Sequence, residues 1–137
     1  MGLTVLDAGV VIGFLDQHDA HHQAAVAALR SAQARNDDVA LPASAFAEII
    51  VGPTRRGQAA VAVVHDFVDR LPIDIVPLDA DIAEAAAAIR AKHRTVKLPD
   101  ALVIATAAHL GAGRLVTTDR GWPSRAQLRV AMTIDEL

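Results

Sequence analysis

Short apolar runs alternate with longer amphipathic segments along this chain. Runs of a few residues rich in Val, Ile and Leu are typical of buried β-strands. The runs that fit this description are "LTVL" (3–6), "VAL" (39–41), "IDIVPL" (73–78), "RLVTT" (114–118) and "LRVAMTI" (128–134). They predict four short strands and a fifth near the end of the sequence.

The segments between these runs predict helices over residues 10–15, 20–35, 45–51, 58–71, 80–93 and 99–110. Asp19, Ser44 and Asp79 stand where N-cap residues belong. "GPTRRG" (52–57) has the composition of a turn, and Gly111 is placed to stop the last of these helices. Strands that alternate with helices in this way indicate an α/β fold around a mainly parallel sheet of four to five strands, flanked by helices.

Length and composition narrow the class of protein. The 137 residues suit a single domain over residues 1–137, and 53% of them are hydrophobic. No apolar run approaches the roughly 20 residues of a membrane span, and no basic region precedes the first apolar residues as in a signal peptide. We therefore expect a cytoplasmic protein whose surplus apolar surface is covered by a partner or a second copy. The absence of cysteine excludes thiolate chemistry, and the net charge of −3 provides no general attraction for nucleic acid.

Chain direction predicts that four acidic residues lie at one edge of the sheet. Asp7 and Asp119 follow the first and fourth predicted strands, and therefore stand at its carboxyl edge. Glu48 lies in the helix that leaves the second strand from that edge. The helix over 99–110 enters the fourth strand from the opposite edge, so its first turn, with Asp100, starts at the carboxyl edge. Taken singly, each acid also fits an ordinary cap, turn or surface role.

Together these acids suggest a metal site. Clustered carboxylates repel one another and need a counter-charge. Hard divalent cations prefer oxygen ligands, and Mg²⁺ is commonly held by a few carboxylates, waters and substrate phosphate. Such a site can position a water for attack on a phosphodiester.

Four blocks of sequence resemble a known family at these same acids. "VLDAGVVIGFLD", "ASAFAEII", "KLPDALVIATAAHLGA" and "LVTTDRGW" are similar to a PIN domain, and in particular to the toxin subunit of bacterial VapBC-type toxin–antitoxin pairs. The resemblance covers essentially the whole chain. It implies a three-layer PIN-like fold, a Mg²⁺- or Mn²⁺-dependent endoribonuclease acting on RNA as a toxin, a homodimer, and neutralisation by a small antitoxin protein.

The resemblance also implies roles for the four acids. Asp7 and Asp100 would be direct metal ligands, while Glu48 and Asp119 would complete the catalytic site directly or through water. Members of the family commonly carry Ser or Thr two residues after the first Asp, where this chain has Gly9.

A nearby hydroxyl from Thr117 or Thr118 is the candidate substitute for the one missing at Gly9. Arg120, directly after the fourth acid, is a candidate contact for RNA phosphates, and Thr118 is a second candidate substrate contact. For Trp122 we expect packing against the last strand rather than stacking on a base. His21 and His22 are adjacent and point to different helix faces, which argues against a zinc site.

Three other functions fit parts of the sequence. The chain could be an RNA-processing PIN nuclease, which growth arrest on expression would distinguish from a toxin. Because of Gly9, it could be a catalytically weak module that binds nucleic acid or a partner. A phospho-accepting receiver domain needs paired acids after its first strand and a Lys late in the chain, whereas Asp7 stands alone and no Lys follows Lys97.

The apolar residues of the first predicted helix suggest a docking groove. Val11, Ile12, Phe14 and Leu15 lie near "AFAEIIV" in the predicted fold. We expect these residues and Phe46 to form an apolar groove beside the acidic edge, which suits an amphipathic helix of a partner protein.

Overall fold

The computed structural model describes residues 2–137, and the strands in this range form one sheet. The five strands of the described range are β1 (Leu3–Leu6), β2 (Asp38–Pro42), β3 (Ile73–Val76), β4 (Arg114–Thr117) and β5 (Thr133–Glu136). Their order is β3-β2-β1-β4-β5, and every neighbouring pair is parallel. The predicted α/β fold around a parallel central sheet is confirmed.

Helices connect the strands and flank the sheet. Those in residues 2–137 are α1 (Ala8–Leu15), α2 (His22–Ala34), α3 (Ala43–Arg56), α4 (Gln58–Arg70), α5 (Ala80–Lys92), α6 (Leu98–His109) and α7 (Arg125–Leu128). Helix α1 packs against α2 and α3, and α6 packs against α5 and α3. No helix in this part of the chain is both long and apolar enough to cross a membrane.

The strand order places a crevice between β1 and β4. From β1 the chain moves outward through β2 to β3, and then crosses back to β4 on the other side of β1. In open parallel sheets this reversal leaves room for a ligand at the carboxyl ends of the two strands. The Asp7 N–H donates to the Val116 carbonyl oxygen at 2.9 Å, which joins the two strands just below the crevice.

Helix α6 is apolar because it is buried on most sides. Its buried residues are Ala101, Val103, Ile104, Ala105, Thr106 and Ala107. A helix enclosed by other elements needs no polar face, so its periodicity is weak. Asp100 lies in its first turn, at the carboxyl edge of the sheet. Gly111 follows its end with a φ of +65°, a conformation that glycine adopts without steric cost, and so confirms the predicted stop.

Helix α3 contradicts two local predictions. It begins at Ala43, with Pro42 at the cap position and no side-chain cap, so the predicted cap at Ser44 is wrong. It continues to Arg56, so the turn predicted over 52–57 is also wrong except at its last residue. Ala45, Ile49 and Pro53 form a buried stripe at every fourth position, and this packing holds the helix together through a sequence that favours a turn.

Two further element boundaries differ from the prediction. Helix α2 begins at His22, and Asp19 accepts the His21 N–H at 2.8 Å in the turn before it instead of capping the helix. Residues 125–128 form α7, so the fifth strand begins only at Thr133. By contrast, Asp79 caps α5 as predicted and accepts the Ile82 N–H at 2.9 Å.

Candidate active site

The predicted acids gather at the carboxyl edge of the sheet. Asp7 follows β1 and caps α1, Glu48 lies in the second turn of α3, Asp100 in the first turn of α6, and Asp119 shortly after β4. Glu48, Asp100 and Asp119 line one pocket of about 350 Å³, together with Thr95, Lys97, Pro99, Gly121 and Trp122. The charge of Asp7 reaches Glu48 and Asp100 and raises the pKa of both. The fold therefore brings all four acids into one electrostatic site.

Asp7 is the most buried of the four, with 8% of its surface exposed. Its Oδ2 accepts a hydrogen bond from the Thr117 hydroxyl at 2.7 Å, and its Oδ1 accepts the Ala8 N–H at 2.8 Å. Burial raises the pKa of Asp7, the two hydrogen bonds oppose that rise, and the nearby charge of Asp119 adds to it. The carboxylate is thus held in one orientation by donors on two different elements.

The pKa values of Asp100 and Glu48 are also raised, so their ionised forms are disfavoured. Partial burial is the largest cause that raises the pKa of Asp100, to about 6, followed by the charges of Asp7 and Asp119. Partial burial likewise raises the pKa of Glu48, and the charge of Asp7 adds to it. A pocket that resists ionisation of its own carboxyls is one that a cation would stabilise.

No basic side chain neutralises this pocket within residues 2–137. None of the ion pairs in that range includes Asp7, Glu48, Asp100 or Asp119, and Lys97 lines the pocket without pairing with them. The same residues contain no group of three His, Asp or Glu side chains arranged to hold a metal ion as they stand. The donor atoms therefore match a hard divalent cation in chemistry, although within residues 2–137 no three of these side chains lie close enough together to form a ready-made metal site.

A tight turn after β4 links two of the acids. The Asp119 N–H donates to the Thr117 hydroxyl at 3.0 Å, and Asp119 Oδ1 accepts the Gly121 N–H at 2.7 Å. Thr117 therefore connects the backbone of Asp119 to the carboxylate of Asp7. The turn leads directly to Trp122, which is buried and lines the acidic pocket. The sequence predicts packing for Trp122, whereas its place beside Asp100 in the acidic pocket depends on the folded chain.

The space left by the missing side chain at Gly9 is occupied by a residue that follows β4. A Cβ on Gly9 would collide with the Thr118 hydroxyl oxygen, so the threonine occupies the space that a side chain at position 9 would fill. The Thr118 hydroxyl thus lies beside Gly9 in the first turn of α1. The Thr117 hydroxyl is the one bound to Asp7.

The two candidate substrate contacts do not line the acidic pocket. The Arg120 guanidinium donates from Nε and Nη2 to the Leu137 carbonyl oxygen, at 3.2 and 3.1 Å. Thr118 faces Gly9. Their roles in binding substrate stay predictions.

A second cavity of about 490 Å³ lies between α1 and α3 and shares Glu48 with the acidic pocket. Its other lining residues are Ile12, Leu15, Asp16, Ile49, Gly52, Pro53 and Arg56. Ile12 and Leu15 are 41% and 37% exposed. Ile12, Leu15 and Ile49 line this cavity as predicted, whereas Phe14 and Phe46 do not. Phe14 packs on the Phe67 ring at 5.1 Å, and Phe46 on the His65 ring at 5.8 Å.

Comparison with known proteins defines the family. The model of the PIN domain matches residues 4–128, and the chain belongs to the PIN domain family. No curated protein matches the sequence significantly.

Several solved structures share the fold. VapBC2 from Rickettsia felis, bound to a DNA fragment from its promoter, superposes with a TM-score of 0.72 at 15% identity, covering 98% of each chain. DNA-bound VapBC from Salmonella typhimurium gives 0.70 at 19% identity, covering 99% of this chain and 98% of that one. VapC20 from Mycobacterium tuberculosis, a toxin that cleaves the sarcin–ricin loop, gives 0.66 at 21% identity, covering 86% and 91%.

Proposed function

We propose that this PIN domain is a divalent-cation-dependent endoribonuclease and the toxin of a toxin–antitoxin pair. One observation carries the proposal: four carboxylates from four separate segments meet at the switch point of the sheet, and no basic side chain of residues 2–137 forms an ion pair with them. Acids in such surroundings destabilise the fold unless a ligand neutralises them, which is a common sign of a functional site.

The proposed cofactor is Mg²⁺ or Mn²⁺. Asp7 and Asp100 would bind it directly, and Glu48 and Asp119 would complete the site directly or through water. When bound, such a cation neutralises charge on the scissile phosphate and lowers the pKa of a coordinated water.

The chain's own groups prepare the site for that ligand. The hydroxyl of Thr117 and the N–H of Ala8 each occupy one oxygen of Asp7 and fix the plane of its carboxylate. Asp119, which lines the pocket, accepts the Gly121 N–H with Oδ1, and this bond helps to fix its carboxylate. Lys97, at the rim of the same pocket, carries a positive charge suited to a flanking phosphate.

RNA is the proposed substrate class. The similarity in fold to a toxin that cleaves the sarcin–ricin loop favours RNA over DNA. The pocket opens to the surface beside exposed Thr95 and Lys97, so a strand can approach it from outside the protein. The chain's net charge of −3 means that binding should depend on the bound cation and on such local contacts.

A small antitoxin is the proposed protein partner. The groove between α1 and α3 offers exposed Ile12 and Leu15 to an amphipathic helix, with Glu48 at the boundary of the acidic pocket. A basic side chain at the end of such a helix would reach the acids and compete with the cation. The similarity in fold to VapBC structures supports an antitoxin as the partner. A homodimer, and residence in the cytoplasm, also belong to this proposal.

Cleavage of RNA by the purified protein tests the proposed function. The unaltered protein should cut RNA with Mg²⁺ or Mn²⁺ and stop on addition of EDTA. Asp7→Asn and Asp100→Asn should abolish cleavage while circular dichroism shows an intact fold. The matched control is Asp74→Asn, which alters an exposed carboxylate on β3 and should leave cleavage unchanged.

The other outcomes separate the alternatives. Equal cleavage by the Asp100→Asn protein, cleared of contaminating nuclease, would contradict the assigned site. Cation binding without cleavage would favour a catalytically weak binding module. Cleavage without growth arrest on expression would favour an RNA-processing nuclease.

A further inference from the structure

The Trp122 side chain carries a buried polar group without a partner. Only 8% of the residue is exposed, and its Nε1 is the one buried side-chain nitrogen or oxygen within residues 2–137 that makes no hydrogen bond. A buried N–H without an acceptor is costly, so native proteins rarely keep one that has no role. This donor is therefore available for an acceptor that comes into line during function.

The Asp100 carboxyl is the candidate acceptor for this N–H. Trp122 and Asp100 line the same pocket, and the indole N–H lies close enough to lower the pKa of that carboxyl, against the stronger effects that raise it. The two groups nevertheless fall short of hydrogen-bond geometry. A small rotation of either side chain would complete a charge-assisted hydrogen bond, which is stronger than a neutral one.

The turn before Trp122 explains how the indole keeps its place. Asp119 Oδ1 holds the Gly121 N–H at 2.7 Å, and the Asp119 N–H is held by the Thr117 hydroxyl at 3.0 Å. Since the same hydroxyl also binds Asp7, the position of the indole is tied to two of the other acids. The ring itself is packed in the hydrophobic core.

We propose that Trp122 is a positioning residue: its indole N–H donates to one oxygen of Asp100 and turns the other oxygen toward the divalent cation. This inference rests on the proposed function, because it requires a cation in the acidic pocket. It accounts for the unpartnered indole nitrogen beside the Asp100 carboxyl in the acidic pocket. Groups that orient a metal ligand commonly affect metal affinity by about 10- to 100-fold.

The test is the dissociation constant of Mg²⁺ and of Mn²⁺, measured by calorimetry on the full chain. Because the chain has a single tryptophan, growth on 3-benzothienylalanine replaces Trp122 alone, keeping the shape of the ring and removing its N–H. We expect cation affinity to fall about tenfold both in this protein and in Trp122→Phe. The control is Leu128→Ala, an equally buried change in the same terminal segment, which should lower stability without weakening cation binding.

The outcomes distinguish this inference from the proposed function. If the unaltered protein binds neither cation, both are overturned. If the unaltered protein and the benzothienyl protein bind the cations equally well, only the role of Trp122 is overturned. This holds even when Trp122→Phe binds poorly, because the smaller ring would then explain the loss. Weaker binding by the benzothienyl protein, at unchanged stability in urea, supports the hydrogen bond.

Discussion

Replacing Asp100 with Asn removes a carboxylate that folding places beside other carboxylates. The change keeps the size of the side chain, so packing around the first turn of α6 should be preserved. In the absence of metal, we expect the Asp100→Asn protein to be more stable than the unaltered protein at neutral pH. The physical reason is that burial, and then the charges of Asp7 and Asp119, raise the pKa of Asp100 from 3.8 to about 6.

The magnitude follows from that pKa. At 1.36 kcal/mol per pKa unit, the shift corresponds to about 3 kcal/mol as an upper limit. Asp100 is only partly buried, so solvent screening reduces the expected gain to about 1 kcal/mol. For a domain of this size, that gain raises the melting temperature by about 4 °C.

The gain in stability from Asp100→Asn should increase as the pH rises. A carboxyl whose pKa is raised by folding binds its proton more tightly in the folded state, so its cost is absent well below pH 4, grows between about pH 4 and 6, and is complete above pH 6. The stabilisation by Asn should therefore be full at pH 7.5 and clearly smaller at pH 4.5.

Thermal unfolding in EDTA at the two pH values provides the measurement. Asp74→Asn, an exposed substitution, serves as the control and should change the melting temperature little at either pH. Added Mg²⁺ should then stabilise the unaltered protein more than the Asp100→Asn protein, because a ligand of the folded state adds stability. An Asn variant that is destabilised at pH 7.5, or equally stabilised at both pH values, would refute the reasoning.

Two other predictions concern α1 and its surroundings. Gly9→Ala should cost about 1–3 kcal/mol in urea unfolding, because its Cβ meets the Thr118 hydroxyl, and adding Thr118→Ala should recover most of that loss. The control is Gly52→Ala in α3, where a Cβ would make only ordinary van der Waals contact, and this change should stabilise the protein by about 0.5–1 kcal/mol. A similar loss of stability at both glycines would contradict the steric argument. Leu15→Asp places a charge in the exposed groove and should prevent co-purification with a co-expressed antitoxin while RNA cleavage persists. Unchanged co-purification would place the partner elsewhere.

Much of this fold could be predicted from local sequence. Short apolar runs identify β1, β2 and β4, because a strand that is buried on both faces shows no alternation of polar and apolar residues. Asp79 and Gly111 mark helix ends for purely local reasons: Asp79 accepts a free N–H of the first turn of α5, and Gly111 adopts a positive φ after α6. The grouping of the four acids was also predictable, since in a parallel sheet the direction of the chain decides which edge each element reaches.

The errors fall where packing overrides local preference. Residues 52–56 have the composition of a turn, yet they continue α3 because Ile49 and Pro53 are buried in one stripe. Residue 128 ends a short helix instead of starting a strand, because Ser124 and Gln127 cap each other's backbone in front of it. In the first case buried contacts decide between small competing free energies, and in the second a local capping box outweighs the apolar run.

Tertiary structure alone decided how the site is held together. The Thr117 hydroxyl meets Asp7 across 110 positions of sequence, Thr118 fills the space left by Gly9, and the Trp122 indole reaches the pocket of Asp100. Sequence periodicity reports which face of an element is buried, but it contains no information on which side chains from other elements share that space. Residue types and chain direction therefore determined where the acids would gather, while the orientation of each carboxylate depends on contacts that only the folded chain creates.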